Sequence, residues 1–315
     1  MKTRTIENAD PDTISSPIQP LVKAFLNAPC IWLPERRAEL LELQKQHKFR
    51  IVIDETDQRF RIVANSEVAT ITVSLTAMER VWGYCFGLEK LYNFLRVQDS
   101  GKEFVATKYP ELSSALAVLS AVYQSEKAKK PIAWATELPC PRSSPNDDDV
   151  QNANCRFISV ASFLLLHEIA HIVLKHPTGK EYVSPEDRRK QELAADLWAM
   201  KFTMDRLAEH NTSDEHFIGR SNGIVLGLCI LSSVELVHSP AGARDHPGIP
   251  ERLLTFFSDY MPDHDEPADL REQPKYFAAT ILDAFLLNEG IEIDCTKTDE
   301  NLFDPIIAAR RYFPA

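Results

Sequence analysis

The sequence predicts a mostly helical α+β fold carrying a small antiparallel sheet, and three observations predict it. Period-2 apolar alternation is concentrated between residues 49 and 73. Beyond that stretch the apolar positions recur at helical spacing almost to the end of the chain. Several of those runs open on the Ser, Asp or Pro residues that favour helix starts. With 315 residues, 44% of them apolar, the chain can build one large or two modest domains around a full hydrophobic core.

Residues 1–18 are polar and punctuated by proline, and are expected to form a flexible tail. Residues 19–138 follow as an N-terminal unit. It begins with helices near 20–28 and 34–47, the second with Leu40, Leu41 and Leu43 on its apolar side. Three short strands come next, Phe49 to Ile53, Phe60 to Val63 and Val68 to Val73, joined by turns at 55–58 and 65–67. Helices near 75–97 and 110–127 complete the unit. The stretch from Pro139 to Asp149 is rich in turn formers and charge, so 139–148 is expected to be a linker or a mobile loop. Residues 149–260 should form a helical core, with helices near 149–176, 185–210, 214–238 and 247–259. Residues 261–315 form a C-terminal helical segment, with helices near 268–288 and 302–312. No internal repeat is apparent.

His167-Glu168-Ile169-Ala170-His171 carries the chemistry. At about 3.6 residues per turn, His167 and His171 stand one above the other on a single helical face and can share one metal ion. Glu168 is rotated by about 100° from His167, beside the metal rather than on it, where a general base belongs. This HExxH spelling is that of zinc metallopeptidases. Its context agrees: Phe157, Val160, Ala161, Leu164 and Leu165 precede it at helical spacing, and His176-Pro177 stops the helix. Buried polar groups cost several kcal/mol without partners, and a metal is a usual partner for such a set. Two hydrogen-bonded core histidines would be the non-functional alternative.

A zinc site with three protein ligands leaves one position for water. The metzincin continuation would need Gly at position 174 and His at position 177, where the chain has Leu174 and Pro177. A glutamate from a second helix is the remaining option, and Glu192-Leu193-Ala194-Ala195-Asp196 provides it on a helix opening at Ser184-Pro185. Glu192 is the expected third ligand of Zn²⁺, while Asp196, one turn on, would accept an N–H from a ligand histidine and fix its tautomer. The pattern implies a zincin-like metallopeptidase fold with an HExxH active-site helix. His246 and Arg252 are candidates for stabilising charge in the transition state. His176 is taken as a helix-terminal cation, and His47, His210, His216, His238 and His264 show no ligand spacing.

Taken together these residues resemble the Lit peptidases, a bacterial family of phage-exclusion proteases. The likeness runs through His167 to Pro177, Glu192 with Ala195-Asp196, and His246-Pro247 with Glu251-Arg252. Ile71 to Leu75 leading into Trp82 extends it, so that it covers roughly residues 49 to 258. It implies a cytoplasmic zinc endopeptidase that cleaves a host protein, elongation factor Tu, once a phage-derived activator has engaged that protein. HExxH with a downstream Glu and Asp is also shared with repressor-cleaving peptidases of the ImmA type. A non-catalytic zinc-containing interaction or sensor protein is the alternative outside the hydrolases.

A formal charge of −11 argues against sequence-independent nucleic-acid binding, which needs a basic face. The first twenty residues lack the apolar segment of a signal peptide. No apolar run approaches the 18 to 20 residues of a membrane span, the nearest being Gly223 to Leu231, so no membrane partner is expected. The six cysteines are scattered without CxxC spacing, consistent with reduced thiols in the cytoplasm. The expected partners are a protein or peptide substrate and an activating phage or host protein.

Overall fold

The computed structural model describes residues 4–5, 16–96, 109–132, 134, 138–141, 147–177, 183–205, 214–238, 246–260, 274 and 278. Helices dominate. After β1 (Arg4–Thr5) come α1 (Val22–Leu26), α2 (Ala28–Trp32) and α3 (Arg37–His47). Strands β2 (Arg50–Asp54), β3 (Ile62–Asn65) and β4 (Thr70–Ser74) lead directly into α4 (Leu75–Arg96). The remainder is α5 (Pro110–Lys127), α6 (Asp148–Val173), α7 (Pro185–Met204), α8 (Asp214–His238) and α9 (Ile249–Tyr260). The expected helices 268–288 and 302–312 lie outside the described residues, apart from Pro274 and Ala278.

The sheet is mixed rather than antiparallel. Its order is β1-β2-β4-β3, with β2 parallel to β4 and the pairs β1–β2 and β3–β4 antiparallel. The physical reason lies in the link between β2 and β3. It has no two-residue Gly or Asn turn of the kind that makes a tight hairpin. Instead Asp54 Oδ1 accepts the N–H groups of Thr56 and Asp57 at 2.9 and 3.2 Å, turning the chain away from its own strand. The link is then anchored from outside the sheet. Arg80 on α4 donates to Gln58 O at 2.9 Å and pairs, fully buried, with Glu126 on α5, whose Oε2 accepts from Phe60 N at 3.1 Å. β3 therefore lands on the far edge, and only the turn after it is tight: Asn65 Oδ1 accepts from Glu67 N, and Ala69 takes φ 46°. Strand β2, inside the sheet, buries Ile51, Val52 and Ile53 in a row, whereas the edge strand β3 keeps the alternation of buried Ile62 and Ala64 with exposed Val63.

Part of the N-terminal stretch expected to be a tail is structured: Arg4–Thr5 pairs with β2 and Ile18 is fully buried. The expected helix 20–28 is broken into α1 and α2, with Pro29 in the first turn of the second. Helix α6 starts at an Asp147 cap whose side chain accepts from Val150 N, and α7 starts at a Ser184 cap with Pro185 at its first position.

Helix α6 is the axis of the molecule; α2, α4, α7, α8 and β3 all pack on it. One continuous hydrophobic core runs from Ile18 to Ala278, across the expected boundary at 139–148. Close approach of α8 to α6 depends on glycine. A Cβ on Gly223 would stand 1.8 Å from Ser159 Oγ, and one on Gly227 would stand 2.6 Å from the ring of Phe163. By length and composition α6 is apolar enough to cross a membrane, which the sequence reading missed because it sought an uninterrupted run; its apolar stretch is largely buried inside the protein. The far end of α7 is held by two arginines, Arg36 donating to Phe202 O and Arg220 to Thr203 O.

Candidate metal centre

All of the sequence-predicted ligands meet at one place. His167 and His171 lie on the buried face of α6, and their Nε2 atoms face each other at 3.2 Å. Glu192 on α7 reaches across, with Oε2 3.2 Å from His167 Nε2 and Oε1 3.7 Å from His171 Nε2. Donors about 2.0–2.1 Å from a common tetrahedral centre stand about 3.3–3.4 Å from one another. The two ring nitrogens have about that span, Glu192 turns a different oxygen to each of them, and one donor atom from each of the three side chains lies within 4.8 Å of the others. Among the described residues this is the group of His and carboxylate side chains whose donor atoms converge.

Asp196, one turn beyond Glu192, accepts from His167 Nδ1 at 2.9 Å and is almost completely buried. That bond directs His167 Nε2 toward Glu192 and His171. Arg252 from α9 lies behind both carboxylates, its Nε 3.3 Å from Asp196 Oδ2 and its Nη2 3.8 Å from Glu192 Oε2. His246, just ahead of α9, brings Nδ1 to 3.7 Å from Glu192 Oε2. His246 and Arg252 thus lie against the carboxylates of the cluster, His246 beside Glu192 and Arg252 beside both Glu192 and Asp196. Outside, an ion pair between Arg189 and Glu251 ties α7 to α9.

Glu168 points away from the ligand trio's carboxylate toward the sheet, where its Oε2 accepts the N–H of Ala64 on the edge strand at 2.5 Å. Sequence reasoning did not find this contact, because 104 residues separate the two partners. It also missed the role of His176. That ring is not a simple helix-end cation: its Nδ1 sits 3.0 Å from His171 Nδ1, and burial, then the neighbouring His171, push its pKa down to about 4, leaving it neutral near pH 7. The available signal was a third histidine placed immediately after a helix that ends in two others.

The electrostatics ask for a cation. Glu192 and Asp196 both lie against one guanidinium, that of Arg252. Burial opposes charge on His167, yet Asp196 and Glu192 outweigh it and lift its pKa to about 10. Burial likewise opposes ionisation of Glu192, and the surrounding imidazoles hold it well below the usual carboxylate range. Without a metal, His167 therefore carries both ring protons, one toward Asp196 and one toward Glu192. The second proton occupies the position that a metal ion would take. Glu168 is shifted up, mainly by burial.

Comparison with known proteins gives two matches. Residues 71–270 match the family model described as Peptidase U49. The chain is 24% identical over 257 residues to the "Cell death peptidase" of Escherichia coli (strain K12), covering 80% of this chain and 84% of that one. No solved structure matches.

Proposed function

The chain belongs to the peptidase U49 family, and from that premise we propose that it is a zinc-dependent endopeptidase with His167, His171 and Glu192 as the metal ligands. The observation that carries the reading is that one donor atom from each of His167, His171 and Glu192 lies within 4.8 Å of the others at a largely buried point. Zinc bound there would act as a Lewis acid on the scissile carbonyl and lower the pKa of a water toward about 7. Asp196 holds the His167 ring, and Arg252 braces the Glu192 and Asp196 carboxylates from behind. Glu168 takes a proton from the attacking water and returns it to the leaving amine, as general base and then general acid. Its position at the sheet edge puts that proton transfer beside β3, where an extended peptide can add as a further strand.

In biological terms the proposal is a cytoplasmic protease that cleaves one host protein, elongation factor Tu, during phage infection and needs an activating phage or host factor. The cell death named for its relative agrees with such a role. The test is a search for new N-termini in cells expressing the wild type against Glu168→Gln, with and without infection. A dominant new terminus in elongation factor Tu, present only with the wild type, is the expected result. A dominant terminus in another protein keeps the chemistry and replaces the target, whereas identical termini for the two proteins in both conditions refute the reading.

A further inference from the structure

Helix α6 ends in a Schellman motif. Lys175 takes φ 57°, its N–H reaches Ile172 O at 3.1 Å, and the N–H of His176 reaches back to His171 O at 2.9 Å. In this motif the residue after the left-handed one contacts the residue two before the last helical position, and the contact is usually apolar. Here the two positions are His176 and His171, and the contact is Nδ1 to Nδ1 at 3.0 Å between rings set at 73°. The turn after β3 fixes the same residue from the other side, since Ser66 Oγ donates to His176 O at 2.5 Å.

A hydrogen bond between two ring nitrogens uses one proton, and its direction matters. If His176 donated, neutral His171 would carry its own proton on Nε2 and aim it at the nitrogen of His167, 3.2 Å away, closing the site to a cation. We infer that His176 is a positioning residue that accepts the proton of His171 Nδ1–H and so holds His171 in the tautomer whose bare Nε2 faces His167 and Glu192. The inference rests on the metal-site reading above. The two histidine ligands then have unequal supports: a carboxylate, Asp196, behind His167, and a neutral imidazole behind His171. A carboxylate partner raises ligand basicity more than a neutral one, so His171 is the weaker donor of the pair. The turn that stops the helix thus also orients one of its ligands.

The experiment compares wild type, His176→Phe and His176→Asn, full length. Asn offers a carbonyl oxygen near the place of the imidazole Nδ1, and Phe fills the space with no acceptor. Zinc affinity is measured by competition with a chromophoric chelator, and thermal melts of the metal-free proteins check folding. The Phe variant should bind zinc about 10- to 100-fold more weakly, and the Asn variant should return to within about threefold of wild type. Nitrogen NMR of histidine-labelled wild type, with and without zinc, should show the His171 proton on Nδ1. A Phe variant that binds like wild type overturns the inference alone, as does an Asn variant as weak as Phe. A wild type that binds no zinc overturns the metal reading and the inference together. If the Phe variant does not fold, the spectrum decides: a proton on His171 Nε2 in the metal-free wild type overturns the inference.

Discussion

Metal-free protein should lose stability as pH rises from about 7 to about 10, and the zinc-loaded protein should not. The cause is His167, whose pKa is about 10 in the fold, against about 6.5 in an unfolded chain. A raised folded pKa on a base gives stability that is fully present below the unfolded value and is lost as pH climbs through the folded one. Between the two values the native state holds one proton more than the unfolded chain, so stability falls by about 1.4 kcal/mol per pH unit. Over the whole window the loss is about 5 kcal/mol. His176 is shifted the other way, to about 4, so its contribution belongs below pH 6.5 and leaves the alkaline window clear. With zinc bound, His167 carries no exchangeable proton on Nε2, and the slope from this ring disappears. Urea unfolding at several pH values between 7 and 9.5, after chelator treatment and again with zinc, measures both slopes. Asp196→Asn removes one of the two carboxylates that raise His167 and should flatten the metal-free slope. Equal slopes for metal-free and loaded protein would refute the reasoning.

Three further outcomes follow from the packing and the site. Glu192→Ala should abolish stoichiometric zinc binding at micromolar concentration, read by metal analysis after gel filtration. Arg252→Leu leaves Asp196 and Glu192 without their guanidinium and should cost the metal-free protein about 3–5 kcal/mol, with zinc restoring part of it; chemical denaturation with and without metal measures the difference. Gly223→Ala drives a methyl group into Ser159 at the α6–α8 contact and should cost about 1–3 kcal/mol, seen as a lower thermal midpoint that Ser159→Gly partly restores.

Local signals carried much of this structure, and non-local ones did not. Helices α4 to α9 were legible because each has an apolar period and most have recognisable starts, as at Ser184-Pro185. The cluster of His167, His171 and Glu192 was legible because two of its members share a helix and the third lies on the next helix, with Asp196 one turn later. The sheet was not. Its strands were found, but their order depends on where the link after Asp54 is pinned, and the pinning groups, Arg80 and Glu126, lie on helices that come later in the chain. The same holds for Ala64 on Glu168: an alternating strand shows which side chains face the core, but not what its outward N–H groups meet. His176 was visible as a residue, but a helix-end histidine is ordinarily read by its charge, and its position in the chain did not show that its ring would meet that of His171.

The placement of Arg252 has a consequence for synthesis. The His167, His171 and Glu192 cluster is complete when residue 192 has been made, and Ala64 is available earlier still, yet the guanidinium that braces Glu192 and Asp196 arrives sixty residues later. Until α9 emerges from the ribosome, two carboxylates destined for burial share the His167 ring with no guanidinium beside them, and burying them half-compensated is costly. The hydrolytic centre of the proposed enzyme is therefore tied to near-completion of its own translation, so an abortively truncated chain ending before Arg252 is a poor source of activity.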